Sequence, residues 1–417
     1  MWLNASDKAT NKLRSNSVPD EALKHALKDQ DIRRELLERA RALAPRLRER
    51  AEEGNLLRHA PDATIVDLVA AKLVRICQPA RFGGFEQPFS VISEVVMELA
   101  RGDGSQAWVA DVYAEHVYML ALFSDQAQHD VWDENPDALI SASIVPPGNK
   151  VQKVDGGFVL KGRWPFLSGL HHSHWSILAD VVPDGEGGRR MHFFLVPAAD
   201  RTNIDDWHVM GLAGTGTSSI ELKDVFVPGH RVILNSEVAA GKAPGMAVNS
   251  NPIYRMPIFG FTVSGLGAVP IGVLAGMVDD FAEYVAACAR RPHPPPGMAN
   301  LTERLAESSV EADAARTMFQ VATANYEGKL RAGTKLTDED AARTMRNVAW
   351  ANMLARRAAT RMFEVTGAHG LFLPGDLQRA FRDIFAAGVH RALNWETSAL
   401  RWGKMLSGQP ADPPPFR

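Results

Sequence analysis

The stretch that decides the fold is Gly211–Pro228, GLAGTGTSSIELKDVFVP. Its glycines could be taken for a dinucleotide-binding fingerprint. That fingerprint must lead into a helix, because the N-terminal amides and dipole of the helix hold the pyrophosphate. Here polar residues between Ser219 and Asp224 alternate with apolar residues between Ile220 and Val227. A period of two indicates a half-buried strand. The stretch therefore predicts a glycine-rich loop followed by a strand and argues against a Rossmann fold.

Two hairpins are predicted on the N-terminal side of this strand. Val151–Val154 and Phe158–Trp164 flank an Asp-Gly-Gly sequence, and Asp-Gly is a strong signal for a tight turn. Trp175–Val182 and Met191–Val196 repeat the arrangement around a DGEGG turn. The sequence therefore predicts a compact block of antiparallel strands that closes at Val227-Pro228.

Helical patterns flank the strands on both sides. Asp20–Glu53, Val91–Ala100 and Trp108–Phe123 precede the block. After it, Thr337 has the position of an N-cap with acidic residues in the following turn, and apolar residues keep three-and-four spacing over Met345–Val365. The order helices, strands, helices predicts an α+β fold with an inserted sheet.

Composition limits the classes of function. The chain has 417 residues, of which 46% are hydrophobic and 23% charged, as in an ordinary globular enzyme. A net charge of −3 argues against nucleic acid as the main partner. Cys77 and Cys288 lie far apart without metal-ligand spacing, which predicts reduced thiols in a cytoplasmic protein. No apolar run reaches the length of about 18 residues that a membrane span needs, so we expect no membrane partner.

Four segments together carry a resemblance to a known family. They are Gln78–Gly84 (QPARFGG), Gly102–Trp108 (GDGSQAW), Gly162–Gly169 (GRWPFLSG) and the opening stretch Gly211–Pro228. In order and spacing they resemble the acyl-CoA dehydrogenase fold. More narrowly, they are similar to the two-component flavin-dependent monooxygenases that hydroxylate phenols, above all the oxygenase components that act on hydroxyphenylacetate or on steroid phenols.

The resemblance implies three domains: an N-terminal helical domain over residues 1–135, a middle antiparallel β-barrel over 136–232, and a C-terminal four-helix bundle over 233–417. It also implies that the bundle forms a homotetramer. Reduced FMN or FAD would lie in the crevice where the three domains meet.

The resemblance gives His390 the central catalytic position. In acyl-CoA dehydrogenases a glutamate followed by Gly-Thr stands shortly after an Arg-Asp pair, and here the pair Arg382-Asp383 is followed by His390. Glu396 comes later and lacks the Gly-Thr context. A neutral imidazole suits hydroxylation, because it can accept a phenolic proton near neutral pH. The alternative is that His390 only caps or packs a helix.

Two more residues match substrate positions of the family. His116 lies in AEHVYML, on the helix that follows Trp108, and Ser143 lies in SASIVPPG, at the start of the strand block. The resemblance implies that His116 lies at the substrate pocket and that Ser143 lies near the phenol oxygen. The alternatives are a solvent-facing helical histidine and an ordinary strand serine.

Five residues match flavin positions. The resemblance implies that the Ser168 hydroxyl hydrogen-bonds the central flavin ring, that Trp164 packs against the flavin or the strand beneath it, and that Trp108 forms an aromatic wall. Gly367 and Gly370, in TGAHG, match a turn where a neighbouring subunit approaches the flavin tail. The alternatives are core packing for the tryptophans and a plain helix C-cap for the glycines.

The sequence His171-His172-Ser173-His174 raises the question of a metal. Its spacing could supply two ligands, but no Asp, Glu or Cys nearby in the sequence completes a coordination shell. We therefore predict no metal.

Together these features predict the oxygenase component of a two-component monooxygenase. It would use O2 and a reduced, diffusible flavin from a separate NAD(P)H:flavin reductase, and it would hydroxylate an electron-rich aromatic substrate through a flavin C4a-hydroperoxide. The lack of a nicotinamide fingerprint agrees with a separate reductase. The alternatives are a dehydrogenase or oxidase on the same fold, or a non-catalytic tetramer that binds flavin or another ligand.

Overall fold

The computed structural model describes residues 20–183, 187–256, 265–293 and 297–410. The N-terminal part of this chain is helical, as predicted, although the first predicted helix is divided near Arg50. Its helices are α1 (Asp20–Glu49), α2 (Ala51–Leu57), α3 (Asp62–Ala70), α4 (Phe89–Ala100), α5 (Gly104–Ala121) and α6 (Asp125–Trp132).

The strands follow as a continuous block. They are β1 (Ile140–Ser143), β2 (Lys150–Val154), β3 (Gly157–Leu167), β4 (Trp175–Pro183), β5 (Arg189–Pro197), β6 (Thr202–Ile204), β7 (Ser218–Pro228) and β8 (Val232–Leu234). Both predicted hairpins are confirmed as the antiparallel pairs β2–β3 and β4–β5. The strand predicted from the opening stretch is also confirmed, because β7 pairs with both β3 and β6.

The arrangement of the strands corrects two expectations. They form two four-stranded sheets, in the orders β1-β4-β5-β8 and β2-β3-β7-β6, in place of the closed barrel that the resemblance implied. The block is also not wholly antiparallel, since β1 runs parallel to β4. Parallel pairing needs a crossover connection, and the β2–β3 hairpin of the second sheet supplies it.

Two apolar cores hold these layers together. The smaller core lies between the sheets and is built around Trp164, Leu160 and Phe194. The larger core joins the helices to β1, β4 and β5. The first sheet is therefore buried on both faces, which fixes its position between the second sheet and the helices.

The C-terminal part returns to helix. The predicted N-cap is confirmed, because Thr337 Oγ1 accepts from the Asp340 amide and Asp340 Oδ2 accepts from the Thr337 amide. No helix within the described residues is long and apolar enough to cross a membrane. The helices are α7 (Asn235–Ala239), α8 (Ala268–Ala289), α9 (Met298–Arg331), α10 (Asp338–Phe363), α11 (Asp376–Gly388) and α12 (Trp395–Leu406).

The glycine-rich loop before β7 is the point where the three regions meet. A Cβ on Gly211 would lie 2.3 Å from the carbonyl oxygen of Arg382 in α11, and one on Gly214 would lie 3.0 Å from Ser105 Cβ in α5. The Leu212 amide donates to Asp383 Oδ1 at 2.6 Å. Glycine is needed at Gly211 because only a residue without Cβ lets the loop backbone approach α11 this closely.

Candidate active site

Three of the predicted site residues lie in contact at this junction. Trp108 in α5 donates its indole N–H to Ser168 Oγ at 3.2 Å. The Trp108 ring also meets the His390 ring edge to face, with centroids 5.7 Å apart. The contact therefore joins one residue from the N-terminal helices, one from the end of β3 and one from the end of α11.

A chain of hydroxyl groups fixes how Ser168 is oriented. Thr215 Oγ1 donates to the Leu212 carbonyl at 2.8 Å and lies 2.7 Å from Thr217 Oγ1, which lies 2.8 Å from Ser168 Oγ. A carbonyl can only accept, so Thr215 donates to the Leu212 carbonyl. Thr217 then donates to Thr215, and Ser168 donates to Thr217. Trp108 fills one Ser168 lone pair. The second lone pair is left to accept a hydrogen bond.

The strand that carries Ser168 is distorted just before it. Phe166 has a φ of 63°, and the register of β3 against β7 shifts between Trp164 and Leu167. Positive φ is a strained conformation for a bulky residue, and such strain collects at functional sites. Ser143 Oγ donates to the Pro165 carbonyl at 2.8 Å and so ties β1 to this distortion. The distortion leaves the Phe166 ring exposed beside Ser168.

His116 lies buried in α5 with a defined proton position. Its Nδ1 is 2.7 Å from the Ile140 carbonyl in β1. A carbonyl cannot donate, so Nδ1 carries the proton of the neutral ring and Nε2 is left as an acceptor. Burial lowers the pKa of His116 to about 4, so the ring is neutral at physiological pH. The alternative of a solvent-facing helical histidine does not hold, because His116 is buried.

His390 has the opposite tautomer. Its Nδ1 accepts the Ala392 amide at 3.2 Å, so in the neutral ring Nε2 carries the proton. Burial lowers the pKa of His390 to about 4 as well. The side chain caps the short 3-10 turn Arg391–Leu393, so the alternative of a capping role is also realised. Of the two histidines, His116 offers an acceptor at Nε2 and His390 a donor.

Three of the predicted flavin residues are not brought to this contact. Trp164 is fully enclosed between the two sheets, where its indole N–H donates to the Ala179 carbonyl at 3.0 Å. This position agrees with the core-packing alternative, and a contact between Trp164 and the flavin stays a prediction. Gly367 and Gly370 lie in the turn before α11, whereas His390 follows the other end of this 13-residue helix.

The histidine sequence gains a partner that sequence reasoning missed. His59 joins His171 and His172, with candidate ligand nitrogens all within 4.8 Å of one another. Asp62 accepts from His172 Nε2 at 2.8 Å. The rings of His59 and His171 stack in planes only 5° apart. The ring lone pairs of His59 and His171 lie in two parallel planes and do not converge on one ion. That the chain binds no metal stays a prediction.

The carboxylates near the end of α11 do not take the place of His390. Glu396 is exposed in the first turn of α12. Asp383 is buried beneath the glycine-rich loop, where burial raises its pKa to about 7 and its Oδ1 is held by the Leu212 amide. The position after Arg382-Asp383 where an acyl-CoA dehydrogenase is expected to carry its glutamate is therefore held by His390.

Sequence reasoning also missed two residues of the site. Thr215 and Thr217 were visible as hydroxyl residues within GTGT, but the direction of their hydrogen bonds depends on the folded loop. It also missed the buried carboxyls of Asp111 and Glu115, which follow Trp108 by three and seven residues in α5.

Comparison with known proteins gives a consistent result. The model of the acyl-CoA dehydrogenase C-terminal domain matches residues 264–395. The oxygenase subunit HsaA, a flavin-dependent monooxygenase of Rhodococcus jostii (strain RHA1), is 34% identical over 90% of this chain and 98% of that protein. The oxygenase component of the FADH(2)-dependent resorcinol hydroxylase of Rhizobium sp. (strain MTP-10005) is 32% identical over 89% and 94%. The crystal structure of the 3-HSA hydroxylase from Rhodococcus sp. RHA1 superposes with a TM-score of 0.86, at 33% identity over 91% and 98%.

Proposed function

The chain belongs to the oxygenase components of the flavin-dependent monooxygenases, and we propose that Ser168, His116 and His390 divide its aromatic hydroxylation between them. The observation that carries the proposal is the pair of opposite tautomers. His116 presents an acceptor at Nε2 and His390 a donor. A hydroxylase of phenols needs both, one to receive the phenolic proton and one to stabilise negative charge on oxygen.

The flavin site is assigned to Ser168 and Trp108. Reduced flavin, when bound, would supply the electrons that activate O2, and O2 would supply the oxygen atom that is transferred. Its central ring carries an N–H, and the free lone pair of Ser168 is suited to accept from it. Oxidised flavin has only an acceptor there, so the hydroxyl chain favours the reduced form. Reduced FMN and reduced FAD share this ring, and either satisfies the proposal.

The substrate is assigned to the side of the site that His116 borders. His116 Nε2 accepts a hydrogen bond from the phenolic hydroxyl, and the remaining lone pairs of Ser143 add a second acceptor. Drawing the proton off oxygen makes the ring a stronger nucleophile. The neutral His390 donates from Nε2 to oxygen that bears negative charge. Positioned acid–base groups of this kind are worth about 10²–10⁴ in rate.

Assembly and supply of flavin complete the proposal. A separate NAD(P)H:flavin reductase delivers the reduced flavin. Four copies of the chain assemble, so that Gly367 and Gly370 of one copy reach the flavin tail of another. The two cysteines within the described residues are unpaired, which supports a location in the cytoplasm.

Turnover with chemically reduced flavin tests the proposal. Wild type mixed with reduced FMN or FAD, O2 and a phenol should consume oxygen and form a hydroxylated phenol without any reductase. His116→Ala and His390→Ala should each lower product formation by about 10²-fold or more. His129→Ala, which alters a half-exposed histidine on α6, is the control and should keep wild-type activity. Equal product formation by all four proteins would contradict the roles given to the two histidines.

A further inference from the structure

Two buried carboxyls lie side by side on α5, and one of them has no hydrogen-bond partner among the described residues. Asp111 has no exposed surface and Glu115 is 2% exposed. A Cβ built on Gly265 would lie 1.9 Å from Asp111 Oδ1 and 2.4 Å from Glu115 Oε1, so the two oxygens surround the same point. Glu115 Oε1 accepts the Gly265 amide at 3.1 Å. Neither Asp111 oxygen has a hydrogen-bond partner within the described residues.

Asp111 differs from the other buried carboxyls of the described chain, because neither of its oxygens accepts a hydrogen bond. Asp103 caps α5 by accepting the Gln106 amide, Asp383 accepts the Leu212 amide, and Glu327 accepts from Ser90. Each of these three carboxyls therefore has a hydrogen-bond donor as its partner. An unpaired buried carboxyl costs several kcal/mol relative to a paired one. Burial raises the pKa of both Asp111 and Glu115, and for Glu115 the neighbouring Asp111 raises it further.

The pair lies on the part of α5 that faces the candidate active site. At roughly 100° per residue, Trp108, Asp111 and Glu115 fall within about 60° of one another around the helix. Trp108 contacts both Ser168 and His390. With a rise of 1.5 Å per residue, the carboxyls lie about 5 and 10 Å along the helix from Trp108. His116 directly follows Glu115. Asp111 and Glu115 therefore lie on the same face of α5 as Trp108, farther along the helix toward its C-terminus.

We propose that Asp111 and Glu115 form a subsite that binds a basic amino group on the aromatic substrate. The inference rests on the proposed function and names a class of substrate for it, phenols or other electron-rich rings with an alkylamine side chain. An ammonium group has three donors and one positive charge. It can therefore bond to both carboxyls at once and neutralise the pair. A single hydroxyl has one donor and leaves one carboxyl unpaired.

Binding to the flavin-free protein tests the subsite apart from catalysis. Titration calorimetry with 4-(2-aminoethyl)phenol, 4-ethylphenol and 4-hydroxyphenylacetate compares a cationic, a neutral and an anionic substituent on the same ring. Wild type should bind the amine about tenfold or more tightly than the neutral compound, and the anion most weakly. Asp111→Asn and Glu115→Gln, alone and together, should remove this preference and leave affinity for 4-ethylphenol unchanged or improved.

The controls separate binding from folding. Glu327→Gln alters a buried carboxyl that is paired with Ser90 and should keep the wild-type preference. Thermal unfolding of each variant checks that it is folded, and the single Asp111→Asn change serves if the double variant is not. Equal affinity of wild type for the amine and the neutral phenol would overturn the subsite. A preference that survives in the variants, or tighter binding of 4-(2-hydroxyethyl)phenol than of the amine, would also overturn it.

Turnover of the same compounds separates this inference from the proposed function. If all the phenols are hydroxylated but the amine is not bound preferentially, the subsite is contradicted and the proposed function is not. If the amine binds tightly, the Asp111 and Glu115 variants weaken that binding, and no phenol is hydroxylated, the proposed function is contradicted and the subsite is not.

Discussion

At the scale of single residues, the site is decided by which atoms carry protons. His116 and His390 are both neutral imidazoles, but a backbone carbonyl fixes the proton of one on Nδ1 and a backbone amide fixes the proton of the other on Nε2. Ser168 is directed in the same way, because its proton is committed to Thr217. Each of these three side chains could act as a hydrogen-bond donor or acceptor, and its neighbours limit it to one of the two roles.

The first prediction concerns Ser168 and the redox state of the flavin. Wild type should bind reduced flavin more tightly than oxidised flavin, because Ser168 offers an acceptor to the ring N–H. Thr217→Val removes the acceptor of the Ser168 proton and frees that hydroxyl to donate. The ratio of the two dissociation constants, measured without oxygen, should then fall by about tenfold. A ratio unchanged in Thr217→Val would rule out the hydroxyl chain as its cause.

The second prediction concerns His116 and acid. Its pKa is near 6.5 in the unfolded chain and about 4 in the fold, because burial disfavours the charged ring. Between these values the unfolded state binds more protons, so acidification through this window destabilises the fold. The contribution is on the order of 3 kcal/mol, fully present above the unfolded pKa. His116→Gln should therefore show a smaller loss of unfolding free energy over this window than wild type, measured by denaturant titration. Identical pH dependence would contradict the buried neutral ring.

At the scale of elements, the site depends on a close contact between the glycine-rich loop and α11. The loop before β7 reaches the backbone of α11 at Arg382 and is held there by Asp383. The same loop carries Thr215 and Thr217, and His390 follows two residues after the last residue of the same helix, Gly388. A change in this contact moves the hydroxyl chain and the imidazole together.

The third prediction follows from that contact. Gly211→Ala places a methyl group 2.3 Å from a backbone oxygen, which no side-chain rotation can relieve. We expect a loss of about 1–3 kcal/mol in the free energy of unfolding and weaker flavin binding. Gly403→Ala is the matched control, since a Cβ there meets no atom within 4 Å and lies within α12. It should be neutral or stabilising by up to about 1 kcal/mol. Equal stability of the two variants would show that the loop can retreat from α11.

At the scale of the whole molecule, apolar surface remains at both ends of α11. Leu371 and Leu373 before the helix and Val389 at its end are each more than half exposed. Neighbouring exposed apolar side chains of this kind mark surfaces that bind other proteins. Gly367 lies close to the first of these regions. The surface therefore supports the proposed homotetramer, in which another copy covers this end of α11.

The fourth prediction tests this assembly. Leu371→Ser combined with Leu373→Ser should shift the mass measured by light scattering from a tetramer toward smaller species, because it removes apolar area from the contact. Flavin affinity should fall with the shift, since Gly367 and Gly370 then no longer reach the flavin of a second copy. Val66→Ser changes an equally exposed apolar residue on α3 and should leave the mass unchanged. A tetramer that persists with normal flavin affinity in the double variant would place the interface elsewhere.

The sequence by itself determined the order of elements, because alternation in β7 and three-and-four spacing in the helices are local properties of the chain. Its resemblance to a known family also singled out Trp108, Ser168 and His390, which the fold brings into contact. Only the tertiary structure decided that the strands form two sheets with β1 parallel to β4, that Trp164 is buried, and that His59 lies beside His171. It also decided the tautomers of His116 and His390, because those depend on backbone groups of other elements and of the following turn. Pairing, burial and proton position all depend on neighbours that folding supplies, and no local pattern in the sequence encodes them.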